Sequence, residues 1–573
     1  MKGLGPVFKD RRRRQRGSVL SGLLIIVAFL AILIGSIMSE LTSSFLISRT
    51  LVTRVQREAT VTSAVEVGIH QLQGSTVPAV CARDSRGPWF ASVNGLEAAV
   101  TQSCTAIVPD LSQSLASGSF AVDGIHDTTA GRDRYLVGNA SGRVYSYGFG
   151  QTAPAWSISV GGPVTAPPTV IRDSSFIDLL VPVTQAGAGC SGHCVAVFDD
   201  RGGTPSFRCY VPAPAVVRVQ PGAETAAGTS LFPNYAFVAD SGGSLAVYNV
   251  DEDSQCVLQV VAGLDGTPAG QPIVFPGTVT SRPHDITTSD EVFIVVTGTR
   301  GTVLEHWRYS EMVATDKNGS SSITLGEVGS LAVAAGPNAV GYAVSSSVPS
   351  IGARLTLAIA SASGGVALAR ITVGSGPTYS MASVASAVLP GAIGRPPYWC
   401  HCPGQDLIGV GSTNGVLYIL DSGLGLRWQY DGQANGRPSI VTTPSADVNG
   451  DWYFGADDGY VYDVEIPTAG QQMFNAARFG SGSMIRSSPV VGGTADGCST
   501  GPCLYFGSSG AGNSYFVQLG STRIMDLRAC VSAGGGSTAC AANPRLWARV
   551  EVGSPSIVGG SGVYVQGWSY YSP

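Results

Sequence analysis

Twelve cysteines, six histidines and one alternating acidic loop are the residues of this 573-residue chain whose types and spacing could do chemistry. Cys190 and Cys194, Cys498 and Cys503, Cys530 and Cys540, and Cys81 and Cys104 are near neighbours; Cys209 and Cys256 stand one repeat apart; Cys400 and Cys402 flank His401. Thiols so placed either pair as disulfides in an oxidising compartment or bind a soft metal, here with His193 or His401. C-x3-C and C-x-C are not the usual zinc spacings, so all twelve are disulfide candidates, with connectivity left open. Asp447-Val448-Asn449-Gly450-Asp451 places side-chain oxygens at alternate positions, with Asp457 and Asp458 downstream. Hard oxygens in a bent loop suit Ca²⁺, and the same residues suit an Asn-Gly turn between strands. The histidines, at 70, 126, 193, 284, 306 and 401, are scattered, and HExxH, GxSxG and Walker patterns are absent. The expectation is a chain without catalytic residues, not an enzyme, that requires no cofactor, with Ca²⁺ the one ion to consider.

The elements that position these residues begin with an unusual amino terminus. Residues 1–17 carry seven basic side chains and one acid, and Val19–Met38 follows as 20 residues without a charge. That length suffices for one membrane-spanning helix, with the basic flank on the cytoplasmic side. It exceeds the apolar core of a cleaved secretory signal. Leu41, Phe45, Val52, Val55, Ala59, Ile69 and Leu72 continue at helical spacing, and no proline occurs between Pro6 and Pro78. The spacing predicts one helix of roughly 80 Å whose second half carries an apolar seam in need of partner helices.

From about residue 118 a unit recurs every 45–60 residues: an apolar strand, a Gly turn and a second alternating strand. Arg134–Tyr147, Tyr235–Asn249, Val292–Trp307, Asp406–Asp421 and Asp451–Glu465 are the clear copies. Asn-Gly, Asp-Gly and Gly-Gly supply the positive φ that two-residue hairpin turns need. Four short strands per unit around an axis make a β-propeller, of eight blades or seven, and a β-solenoid is the competing architecture. The last strand, Gly562–Trp568, is expected to close the ring against strands near Phe120. Its aromatics Trp568, Tyr570 and Tyr571 are read as packed.

The segment RRRRQRGSVLSGLLIIVAFLAILIGSIM resembles a type IV prepilin leader and helix. The resemblance implies cleavage by a prepilin peptidase between Gly17 and Ser18 and packing of the helix, through Leu20, Leu24, Phe29, Leu41, Phe45, Val52 and Val55, into a filament. Major pilins carry Glu at the fifth mature position, which here is Gly22; minor pilins and pseudopilins at a filament tip are the known exceptions. The repeats resemble PQQ-like propeller repeats. Propeller quinoprotein dehydrogenases add a disulfide between adjacent cysteines, and this chain has no adjacent pair. The Asp447, Asn449 and Asp451 loop resembles calcium loops in PilY-type pilus-tip propellers, departing where Gly455 replaces a carboxylate.

The expected organisation is a leader (1–17), a transmembrane and amphipathic pilin-like helix (18–73), a linker or small subdomain (74–117) and a propeller (118–573), mainly β overall. The expected function is a minor pilin-like subunit displaying a propeller at the tip of a type IV pilus or related filament, for adhesion or filament initiation. The alternative is a membrane-anchored propeller scaffold of the cell envelope outside any filament. Expected partners are pilin or minor pilin helices, the inner membrane before assembly, and a surface receptor or envelope protein. The expected location is the inner membrane, amino terminus in the cytoplasm, then the pilus tip or cell surface. Without its leader the chain has 27 basic and 38 acidic residues, a formal −11, which disfavours nucleic acid as a partner.

Overall fold

The computed structural model describes residues 11–571 apart from 74–87, 94, 129–131, 173–176, 185–188, 202, 224–234, 251–255, 276–279, 282–284, 315–320, 346–353, 375–377, 403, 433–435, 448, 467–472, 499–501, 510–511, 535 and 553–562. Cys81, His284 and the first ten leader residues thus lie outside the described residues.

A single helix, α1 (Arg11–Leu72), runs unbroken through the apolar span and the seam after it. The absence of proline permits this, and the glycines at 17, 22, 35 and 68 do not interrupt it. Its two halves behave differently. Residues 20–55 bury almost nothing, whereas Val61, Ala64, Val65 and Leu72 are fully or almost fully buried. That i, i+3, i+4 face rests on an antiparallel sheet of five strands: β1 (Trp89–Val93), β2 (Leu96–Ser117), β3 (Asn513–Ser532), β4 (Cys540–Val552) and β5 (Val563–Tyr571), in the order β1-β2-β3-β4-β5. Ala98 and Val100, then Met525, Leu527 and Ala529, then Leu546, Ala548 and Val550 alternate onto the helix side. Period-2 alternation with one covered face is what such a sheet requires. Gly68 lets the helix come close: a Cβ there would stand 3.2 Å from Val100 Cγ1 and 3.4 Å from Trp89 Cε3. Each buried Val or Leu contributes about 1.5–3 kcal/mol to this docking.

The chain between β2 and β3 forms the propeller. Among the described residues, seven sheets follow one another, at 125–159, 169–213, 222–263, 266–332, 339–388, 398–431 and 445–480. Six have four strands, and the fourth has six, built on two 14-residue strands, Asp285–Gly298 and Gly301–Ala314. An eighth unit joins Val490–Gly492, Cys503–Gly507 and the first part of β3 to the last part of β2, where Pro109–Ser117 pairs with Leu519–Asn513. An apolar core lies between each sheet and the next, and one more joins the eighth unit to the first, where Tyr135 stacks on Tyr505 at 4.6 Å. The ring is therefore closed, which a solenoid is not.

The closing strand differs from the expected one. β5 pairs with β4, not near Phe120. The ring is closed by β2, which pairs with β3 along most of its length through irregularities at Cys104/Ala106 and Pro109. The expected propeller span of 118–573 thus gives up its last 50 residues to the helix-bearing sheet, and 89–117 contributes strands to both units. The physical reason is that β2 and β3 are longer than one blade, so each serves two sheets.

The hairpin turns also differ in detail. Gly415 N–H donates to Ser412 O (3.1 Å) and Ser412 N–H to Val416 O (2.9 Å), and Gly415 has φ +82° while Asn414 does not have positive φ. This is a type I turn ended by one left-handed glycine, not a two-residue turn with positive φ twice. The pattern recurs around Gly142, Gly243 and Gly459.

Candidate functional site

The sheet holds the last turns of α1, and everything before them projects. Leu20, Leu24, Phe29, Leu41, Phe45, Val52 and Val55 are all exposed, from 54% at Val52 to 69% at Phe29. The helix is long and apolar enough to cross a membrane, with a mean hydropathy of 2.8 in its most apolar stretch. The apolar surface does not stop where a span of about 20 residues would. Leu46, Ile47 and Leu51 extend it past Met38 and are exposed too. The hydroxyls among them fold back on the helix: Thr42 Oγ1 donates to Met38 O (2.7 Å) and Thr50 Oγ1 to Leu46 O (2.7 Å). These bonds satisfy the hydroxyl donors within the helix, and both side chains stay exposed. The stretch from Leu41 to Val55 adds roughly 20 Å of helix with an apolar seam, beside which Arg49 and Arg54 are also exposed. Gly17 and Ser18 lie within α1. A Cβ at Gly22 would meet nothing within 4 Å, so space in this chain does not dictate glycine there.

At the far end of α1, Thr62 Oγ1 and Tyr570 Oη lie 2.9 Å apart, tying β5 to the helix. Trp568 and Tyr570 are about half exposed, in contrast to the packed strand expected. The reason is their edge position on β5, which has β4 on one side only.

The propeller has an axial cavity of about 1080 Å³. Asp123, Arg218 and Arg395 are the charged side chains of its lining. Two of them bind neighbouring units: Arg395 Nε donates to Val441 O (3.0 Å), and Asp123 Oδ1 accepts from Ser488 N–H (2.6 Å). Arg218 is exposed to the cavity. Arg395 stands in the Pro-containing loop 394–397, and the loops at 165–168 and 268–272 contribute uncharged lining.

Five disulfides join Cys190 to Cys194, Cys209 to Cys256, Cys400 to Cys402, Cys498 to Cys503 and Cys530 to Cys540. Cys104 is also disulfide-bonded. Thiolate metal ligation by Cys400 or Cys190 is therefore not what this structure holds. Cys209–Cys256 links the second and third sheets, in whose shared core both lie.

The Asp447–Asp451 loop is a turn. Asp447 Oδ1 accepts from the backbone N–H of Asn449 and of Asp451 (both 2.9 Å), and Oδ2 accepts from Asn449 Nδ2 (3.0 Å). The carboxylate is buried and turned onto its own loop, so the residues do not fit a calcium cage. Behind the loop lie Asp463 and Glu465, fully buried on the neighbouring strand, and buried Arg523 on β3. Burial, reinforced by Glu465 and Asp447, holds the Asp463 carboxyl well above the usual carboxylate range. Burial likewise raises Asp447, against the loop hydrogen bonds. Burial lowers Arg523, against the pull of Glu465, Asp463 and Asp451. This charged cluster sits where the seventh sheet meets β3. No local motif announced it, because Arg523 is about 60 residues from the acids.

The described histidines do not converge on one centre. His306 is buried, its Nε2 2.6 Å from Glu291 Oε2, and stacks on Phe293 at 4.3 Å. His401 pairs with Asp406 at the surface (2.8 Å).

Family profiles and curated protein sequences give no match to this chain. Solved structures do resemble it in fold. BamB from Moraxella catarrhalis aligns at 13% identity and a TM-score of 0.39, over 72% of this chain and 97% of that one. Saccharomyces cerevisiae Sqt1 aligns at 12% and 0.45, over 73% and 99%. The Dos1 propeller aligns at 11% and 0.44, over 72% and 95%. By its own sheets and helix the chain is mainly β, a propeller with one long apolar helix at its amino terminus, an arrangement that fits a membrane-anchored propeller.

Proposed function

We propose that this chain is a minor pilin-like subunit that displays its propeller at the tip of a type IV pilus or related filament, for adhesion or filament initiation. The observation that carries the reading is the apolar seam of Leu41, Phe45, Val52 and Val55, exposed on a helix that is already clamped at its far end. A tether needs only enough apolar helix to span lipid. A longer apolar seam costs free energy in water unless other helices cover it, and a filament core of like helices covers it. The propeller's bulk suits a terminal position, because so large a head would collide with neighbours inside a helical lattice. Gly22, where major pilins have Glu, suits a subunit with no subunit ahead of it.

In this reading the chain starts as a single-pass inner-membrane protein with a cytoplasmic amino terminus. Prepilin peptidase cuts after Gly17, pilin or minor pilin helices are the partners of α1, and the propeller faces a surface receptor or envelope protein. The role is structural rather than enzymatic, without a required cofactor, and the acidic ectodomain argues against nucleic acid. Shearing cells and fractionating the product tests it: the chain is expected in the sheared filament fraction at low copy number. Recovery solely in membranes refutes it and leaves the envelope scaffold, in which α1 is only an anchor.

A further inference from the structure

His126, Asp133 and Asp496 meet at the seam where the first and eighth units of the ring join. His126 lies on the strand Ile125–Asp127, Asp133 precedes the strand Arg134–Gly138, and Asp496 ends the short 3-10 turn Thr494–Asp496 of the eighth unit. One ligand atom from each falls within 4.8 Å of the other two. His126 Nε2 contacts Asp133 Oδ1 directly, with side chains 21% and 35% exposed.

Charge makes the arrangement informative. Two carboxylates with oxygens within 4.8 Å repel unless a positive charge, a proton on His126 or a metal ion, offsets them. The arginines beside Asp133 do not serve: Arg132 pairs with Asp200 (3.2 Å), and Arg134 pairs with Asp127 (2.7 Å) and Asp200. Among the described residues no Lys or Arg pairs with Asp133 or Asp496. The site is also held in place. Asp496 Oδ2 accepts from Gly493 N–H (2.6 Å), and the Cys498–Cys503 disulfide follows two residues on. The His126 ring packs on Phe149 with centroids 4.1 Å apart, and Tyr505 Oη donates to Gln151 O (2.7 Å) across the same seam.

We propose that these three residues bind a divalent transition-metal ion, zinc, which clamps the ring at its closing seam. One imidazole nitrogen and two carboxylate oxygens are borderline-to-hard donors of the kind zinc accepts, with water completing a tetrahedron. Tetrahedral ligands at about 2.0–2.1 Å from zinc lie about 3.4 Å from one another, and the three ligand atoms lie within 4.8 Å of one another. The ion takes the place of any proton shared by His126 and Asp133 and neutralises both carboxylates. Because the ligands come from residues some 360 positions apart, binding favours the closed ring over its opening. The proposal does not rest on the filament reading.

The test uses the full chain in detergent, stripped with chelator and titrated with zinc chloride in a calorimeter, with calcium chloride as comparison. Expected are one zinc ion per chain, a raised Tm on zinc addition, and affinity lowered about tenfold or more in both His126→Gln and Asp496→Asn. Asp496→Asn retains an acceptor for Gly493 N–H, and the zinc-free Tm of each variant reports whether its fold survives. No zinc binding, wild-type zinc affinity in Asp496→Asn with an intact fold, or binding of calcium in preference to zinc each overturns the proposal.

Discussion

Single residues carry the two junctions of this molecule. At Gly68 the helix approaches the sheet closely enough that only a hydrogen fits comfortably against Val100 and Trp89. Gly68→Leu is expected to lower stability by about 1–3 kcal/mol, read as a lower Tm of the membrane-solubilised chain. Gly22→Leu, in open space, is expected to leave Tm unchanged. At the other junction, Asp463 has a raised carboxyl pKa from burial and the neighbouring acids. An acid whose folded pKa exceeds its unfolded value of about 3.9 stabilises below that value and loses the contribution as pH rises through the folded one. The difference amounts to about 1.4 kcal/mol for each unit of separation. Asp463→Asn imitates the protonated acid, so its Tm should gain on the wild type between pH 4 and pH 8. A constant gap across that range would contradict the assignment. Neither feature was legible in the sequence: Gly68 stood in an apparently ordinary helix, and Arg523 reaches the acids from a strand far along the chain.

At the scale of elements, the hairpins were legible because their signals are local. Asn414-Gly415 and Asp458-Gly459 mark turns wherever they stand between alternating strands. The turn geometry was not, since a type I turn with one left-handed glycine and a two-residue turn share the same dipeptides. The cysteine neighbours were legible for the same reason of proximity. Cys209–Cys256 joins two sheets, and its loss by Cys256→Ser is expected to cost about 2–4 kcal/mol, measured as a lower Tm under non-reducing conditions. The helix makes a different kind of prediction. Phe45→Ser with Val52→Ser alters exposed positions beyond the span, so membrane insertion and Tm should be unchanged. In the filament reading the same double variant is depleted from sheared filaments at least severalfold. Equal recovery would mean that the seam is not a docking surface.

The whole molecule is a helix-bearing sheet with a propeller inserted between two of its strands. The chain enters the propeller from β2 and leaves it into β3, and the two strands are paired at that point, Ser117 opposite Asn513. Sequence reading placed the boundary at 118 but assigned the carboxyl end to the propeller. Strands Leu96–Ile107 and Arg523–Ser532 are some 400 residues apart and contain nothing that names their partner, and Pro109 within β2 argues against a strand. An insertion of this kind is removable in principle. A variant in which residues 109–519 are replaced by a short turn is expected to keep the helix on its sheet, seen as retained helical circular dichroism and a cooperative thermal transition. Loss of both would show that the sheet depends on the propeller for its fold.

The mature amino terminus decides whether α1 is a filament helix or an anchor. Mass spectrometry of the chain purified from its native cells is predicted to find Ser18 as the first residue, with an N-methyl group, as processing by a prepilin peptidase leaves it. A chain that retains Met1 and the basic leader would contradict the filament account and make α1 an anchor alone.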